Sequence, residues 1–153
     1  MRSVVTVLAA VAVALVAGSA AVAAVRRRYL VVTVRGSSMN PAYDDADRVL
    51  VRRMRSAGGP ARGEVVVLRA PGEENARIGL LLLKRVAAVP GDEVPAEFRR
   101  VVPAPVVPQG HLLVRGDNNR SADSRAFGLV DSRLLVGTAV TQKKERSCTS
   151  PRD

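Results

Sequence analysis

Aromatic side chains are nearly absent from this chain. It has no tryptophan, two tyrosines (Tyr29, Tyr43) and two phenylalanines (Phe98, Phe127) in 153 residues. A core must then be assembled from Val, Leu and Ala, and short Val-rich runs favour strands over helices. The same shortage weakens the nucleic-acid reading that a formal charge of +10 invites. The arginines are scattered, and no aromatic set is interleaved with them for base stacking. A basic surface beside anionic lipid accounts for the charge equally well, and no nucleic-acid partner is expected.

Cysteine and histidine are scarcer still. Cys148 stands alone in a polar tail, which excludes an internal disulfide and a thiolate cluster. With one cysteine and one histidine (His111), zinc sites of the usual kind are excluded, and neither metal nor cofactor is expected. The lone histidine also makes a Ser-His-Asp triad depend on one residue. Lysine is the most telling shortage. Among 24 basic residues three are lysines, and Lys143 and Lys144 lie in the C-terminal tail. Lys84 is the one lysine in the body of the chain. A general bias toward Arg explains the ratio but not why this position stays Lys.

What is present begins with an uncharged run of Val, Ala and Leu over residues 4–25, interrupted by Thr6, Gly18 and Ser19. As a helix it measures about 33 Å, enough to cross a bilayer core. Ser19-Ala20-Ala21 and Ala21-Val22-Ala23 offer cleavage sites for a secretory signal, but the run is longer than a usual signal's apolar region. A buried core helix is the third alternative. Length favours a single-pass membrane anchor. Arg26, Arg27 and Arg28 follow it and only Arg2 and the amino terminus precede it, which by the positive-inside rule puts the rest of the chain in the cytoplasm.

Beyond the anchor the pattern turns to β. Residues 30–34, 48–53, 64–69, 80–89, 111–115 and 134–141 read as strands bounded by Gly, Pro, Asp or Asn. Residues 56–63 and 71–76 read as loops, and 95–108, with four prolines, is unsuited to central sheet. The expected protein is mainly β: a compact antiparallel catalytic domain (29–142) after an anchor (1–28) and before a polar tail (143–153).

Three segments carry chemistry. Gly36-Ser37-Ser38-Met39-Asn40-Pro41 joins two strands, and a serine there can present hydroxyl and amide to a scissile bond, although the same residues make ordinary turns. Lys84 alternates along its strand with Leu82, Val86 and Ala88, while Arg85 faces the other way with Leu83 and Ala87. Aliphatic neighbours strip water from an ammonium, lower its pKa and let it act as a base; arginine stays charged. A lysine snorkelling to water explains that run alone equally simply. The third segment, residues 116–128, is dense in polar turn-formers, with Asp123 and Arg125 able to pair and Ser121 able to bond within a site.

Taken in order, Ser-Met-x-Pro, Lys-Arg-Val with Pro-Gly-Asp, then Gly-Asp-Asn with Ser-x-Asp-Ser-Arg and Phe-Gly, the chain resembles the bacterial type I signal peptidases over residues 31–140. The resemblance implies Ser38 as nucleophile and Lys84 as general base, a Ser-Lys form of the triad. It implies that Ser121 orients the lysine amine and that Asp123 and Arg125 form a structural ion pair. Arg85, Asp117 and Asn118 belong to the support, with Met39 packed beside the nucleophile. Gly36 stands where some members carry a serine that adds an oxyanion donor. Implied partners are the signal peptides of exported preproteins, cut after small-x-small motifs, and the lipid bilayer, with the catalytic domain outside the cytoplasm. Two departures are visible. The spacing from Gly-Asp-Asn to Ser121 is one residue short, which opens the question of whether Ser121 still meets Lys84. Residues 92–110 are too short for the second β-domain of larger members. A dedicated maturation protease for one leader-bearing partner, a self-cleaving repressor and an inactive tethered binding protein are the alternatives. A repressor would need a DNA-binding domain where the apolar run stands.

Overall fold

In a computed structural model, residues 2–54 and 58–140 are described, with the side chains of residues 1–13 and 76 left out. The chain opens with helix α1 (Arg2–Arg28), whose last turn holds Arg26, Arg27 and Arg28. It passes directly into β1 (Tyr29–Thr33), followed by β2 (Arg48–Arg53), β3 (Val65–Arg69), α2 (Glu73–Ile78), β4 (Leu81–Ala88), β5 (His111–Arg115), α3 (Ser124–Phe127), β6 (Val130–Asp131) and β7 (Leu135–Ala139). The seven strands form one sheet in the order β1-β2-β7-β3-β4-β5-β6, every pairing antiparallel.

Burial follows strand position. β3 is central, and its Val65, Val66, Val67 and Leu68 are all buried, as expected of a strand covered on both faces. β2 lies nearer the edge and alternates, with Val49 and Val51 inside and Arg48, Leu50 and Arg52 outside. One cluster packs Val49, Val51, Val65 and Val67 against Met39 and Tyr43. On the other face Val66, Leu68, Val86, Leu112, Val114 and Val130 form a second. A third gathers Phe98, Val94, Val102 and Val107 from the proline-rich connection against Ala88 and Leu113. Phe98, one of four aromatics, is fully buried there.

Strands 48–53 and 111–115 coincide with expectation, and the others agree within two residues at each described end. The reading of 71–76 as a loop is corrected: α2 forms there, with Glu73 and Glu74 in its first turn and Arg77 in its last, complementing the helix dipole. Ala88 is also corrected. It packs in the third cluster rather than with Leu82 and Val86, because the β4–β5 register shifts between Val86 and Ala88. The 92–110 connection carries a short 3₁₀ turn at Ala96–Phe98 and a single bridge between Glu93 and Val106. Among the described residues no helix is long and apolar enough to cross a membrane. The side chains of residues 4–13, part of the apolar run, lie outside the described set, as does the tail 143–153.

Candidate active site

Two adjacent basic residues on β4 have opposite surroundings. Lys84 sits opposite Val66 in the β3–β4 register and is 2 % exposed. Its Nζ donates to Ser121 Oγ at 2.6 Å. Desolvation by burial pulls its pKa below the ordinary value; Asp123 pushes it back up and Arg125 pulls it down again. Arg85 faces the other way, with Nε and Nη2 on the two Asp117 carboxylate oxygens at 2.8 and 2.6 Å and Nη1 on the Gly63 carbonyl at 2.9 Å. That bidentate pair ties β4 to the turn after β5.

The turn after β5 gathers the rest. Gly116 N–H donates to Asp123 Oδ2 at 2.8 Å, and Asn118 N–H to the Ser38 carbonyl at 3.1 Å. Asn118 Nδ2 reaches the Ser37 carbonyl at 3.0 Å. A Cβ on Gly116 would collide with the Ser121 side chain and come within 2.6 Å of the Ser38 carbonyl oxygen. The Ser121 hydroxyl and the Ser38 backbone therefore converge on one space, and only glycine leaves it open. The shortened spacing does not separate Ser121 from Lys84.

Asp123 is completely buried and caps α3. It accepts from the Arg125 N–H at 3.0 Å and from Arg125 Nε and Nη2 at 2.9 and 2.7 Å. Burial pushes its carboxyl up, but the bonds from Arg125 and Gly116 outweigh this and its pKa falls below the usual range. Arg125 is correspondingly raised by the same bond. Ser124, also fully buried, accepts from the Val114 N–H at 3.0 Å and fastens the segment to β5.

The Gly36–Met39 segment is held from both sides. Met39 is fully buried in the first cluster. Gly36 has φ +82°, a left-handed conformation that glycine adopts without cost, and its N–H donates to Asp45 Oδ1 at 2.7 Å. Ser38 is half-buried between these anchors. Among the described residues no hydrogen bond joins the Ser38 hydroxyl to Lys84; the amine is bonded to Ser121. His111 begins β5, opposite Asp131, and makes its contact with the Gln109 carbonyl. Asp45, Gly63, Gly116 and Ser124 escaped the reading of the sequence. The run of acids at 44, 45 and 47 was the available signal for Asp45; Gly63 acts through its backbone carbonyl, while Gly116 and Ser124 stood inside the Gly-Asp-Asn and Ser-x-Asp-Ser-Arg motifs without a role of their own.

The family model described as signal peptidase, peptidase S26, matches residues 1–103 and 95–142. Signal peptidase IB of Staphylococcus aureus is 32 % identical over 146 aligned positions, covering 69 % of this chain and 72 % of that protein. Mitochondrial inner membrane protease subunit 2 of Saccharomyces cerevisiae is 32 % identical over 117 positions, covering 71 % of this chain. The chain spans 64 % of that subunit's length. A signal peptidase I crystal structure from Enterococcus faecalis superposes with a TM-score of 0.40 at 22 % identity, covering 54 % of this chain and 98 % of that one, and adds nothing to the assignment. By sequence the chain therefore falls in a class of peptidases. This chain is a member of the signal peptidase S26 family.

Proposed function

We propose that the chain is a membrane-anchored serine endopeptidase that removes N-terminal signal or leader peptides, with Ser38 as nucleophile and Lys84 as base. The observation that carries this reading is the state of Lys84: buried, short of water and bonded to a hydroxyl. An amine so placed loses its proton at a lower pH than a solvated lysine. In neutral form it donates to Ser121 and keeps a lone pair to accept the Ser38 proton. Ser38 Oγ then attacks the scissile carbonyl, and the protonated amine returns the proton to the leaving nitrogen. The Ser38 amide holds the oxyanion. Gly36 supplies no hydroxyl, so a second donor comes from another group; a donor of this kind is worth about 2.7–4 kcal/mol. Arg85–Asp117 and Asp123–Arg125 hold the two walls in register. The chemistry requires no metal or cofactor.

The run 4–25 supports a single-pass anchor within α1, with the catalytic domain outside the cytoplasm and small-x-small sites in preproteins as substrate. Protease added to intact spheroplasts digests residues 29–142 on this reading; protection until lysis reverses the topology, as Arg26–Arg28 would have it. The short 92–110 connection favours, as a second reading, a protease dedicated to one leader-bearing partner. Purified protein is expected to cleave a preprotein after a small-x-small site. Ser38→Ala and Lys84→Met each reduce cleavage by about 10⁴-fold or more, and the double variant is no worse, because the pair acts as a unit. Wild-type turnover by Lys84→Met removes Lys84 from the mechanism.

A further inference from the structure

We infer that Asp45 is a positioning residue for the nucleophile: acting through the Gly36 N–H, its carboxylate fixes how the Ser38 segment is presented to Lys84. The inference rests on the peptidase reading above and adds a residue that lies in none of the ordered motifs. Ser38 belongs to the connection between β1 and β2. A reciprocal pair closes the base of that connection, Val34 N–H to the Asp47 carbonyl at 2.8 Å and Ala46 N–H to the Val34 carbonyl at 3.0 Å. One step further in, a side chain takes over from the backbone: Asp45 Oδ1 accepts the Gly36 N–H at 2.7 Å. Deeper in the loop, Asn40 N–H bonds the Ser37 carbonyl at 3.1 Å and Tyr43 N–H the Met39 carbonyl at 2.9 Å.

A left-handed residue stands at or beside each end of the Asp45 bond. Gly36 has φ +82°, and Ala46, next to Asp45, has φ +67°. A Cβ on Gly36 would meet nothing within 4 Å, so conformation and not crowding calls for glycine there. Alanine at positive φ is uncommon and persists only where the surrounding contacts impose it. The loop bears that strain with Asp45 turned in toward the nucleophile segment. The opposite hold comes from Asn118, whose N–H bonds the Ser38 carbonyl at 3.1 Å and whose Nδ2 bonds the Ser37 carbonyl at 3.0 Å. Asn118 grips two carbonyls but leaves the segment free to turn about Gly36, the residue that resists rotation least. Asp45 removes that freedom. Asp45 is itself exposed, and its effect on Ser38 passes through the intervening backbone. A displacement of about 1 Å in a reacting group can cost about 10²-fold in rate.

The test compares kcat, KM and thermal melts of the full chain in detergent, as wild type, Asp45→Asn, Asp45→Glu and Asp45→Ala, on a preprotein peptide with a small-x-small site. Asparagine keeps the acceptor oxygen in place without the charge; glutamate keeps the charge and moves the oxygen by one methylene. Asp45→Asn should turn over within about threefold of wild type, since a neutral acceptor weakens the bond without removing it. Asp45→Glu and Asp45→Ala should lose about 10²-fold in kcat with KM little changed. Amide exchange followed by NMR should find Gly36 N–H protected in wild type and Asp45→Asn and unprotected in Asp45→Ala. Wild-type kcat in Asp45→Ala overturns the inference, even if the melt falls. Full activity in Asp45→Glu with loss in Asp45→Asn shows that charge and not the bond matters, and also overturns it. So does a rise in KM at constant kcat, which would place Asp45 on the substrate. If Asp45→Ala melts below the assay temperature, the Asn–Glu comparison decides alone. Wild type that cleaves nothing removes the peptidase reading and this inference with it; wild type that cleaves, with Asn and Glu variants alike, removes the inference alone.

Discussion

The tripeptide Asp-Ser-Arg occurs twice, eight residues apart, and folds the same way both times. At 123–125 and 131–133 the aspartate caps a short helical turn, accepts the arginine N–H and is bridged by the same arginine's guanidinium. The two differ in depth. The Asp123 side chain is 0 % exposed and that of Arg125 26 %, whereas Asp131 and Arg133 are 29 % and 89 % exposed. Only Asp123 also accepts a bond from outside its motif, the Gly116 N–H, and only that pair feels Lys84. Local chemistry makes the motif; burial decides whether anything depends on it.

Breaking the buried copy should have the largest effect. Asp123→Ala strands Arg125, leaves Gly116 N–H without its acceptor and uncaps α3. Removing one member of a buried pair costs about 3–5 kcal/mol, with the lower end apt here because Arg125 is partly wet. That corresponds to a fall of about 10 °C in melting temperature for a chain this size. Because Gly116 adjoins both Ser121 and the Ser38 backbone, cleavage should fall beyond what stability explains. Calorimetry with peptide cleavage below the melting temperature checks it. A variant that melts like wild type shows that the pair is ornamental.

The difference between the copies marks the limit of what the sequence made legible. Strands were visible because Val-rich runs between turn residues have few other uses, and the ordered motifs led to Ser38, Lys84 and their supports. The Asp123–Arg125 pair could be anticipated from spacing. The bidentate Arg85–Asp117 pair could not, since 32 residues separate the partners and nothing local joins them. α2 was hidden by Pro71 and Gly72, and the role of Gly116 depends on a close approach that no periodicity reports. Depth itself is invisible in the tripeptides. Asp123 is buried because its segment docks on β5, whereas the second copy sits at the end of the two-residue strand β6.

A subtler separation lies in pH dependence. Lys84 has a lowered folded pKa, so the folded state binds fewer protons than the unfolded chain between that value and about 10.4. Stability should rise with pH across this window, and the cost of Lys84 is fully present below it. Lys84→Met should abolish the slope and be at least as stable as wild type near pH 7. Cleavage should rise with pH as the amine loses its proton. Asp123→Asn removes the charge that raises Lys84 while leaving Arg125, which lowers it, so the rate profile should move to lower pH. Asp131→Asn should leave the profile in place. A profile flat from pH 6 to 10, roughly the span bracketing the shift, would make Lys84 an ordinary strand cation.

The smallest effect belongs to the exposed copy. Asp131 is held down to about 2 by the Arg133 side chain and backbone N–H. Water screens both partners, and exposed pairs of this geometry contribute little even when their distances are short. Asp131→Ala should therefore shift the melting temperature far less than Asp123→Ala, and the shift should shrink further as salt is raised. The sign with pH is fixed: a depressed carboxylate stabilises above its unfolded pKa of about 3.9, and that contribution is lost as pH falls through about 2. Wild type and Asp131→Asn should thus converge in acid, with cleavage at pH 8 equal in the two. If Asp131→Ala instead lost cleavage as Asp123→Ala does, burial would not be what separates the copies. The β5–β6 end, where Asp131 faces His111, would then have to communicate with Lys84.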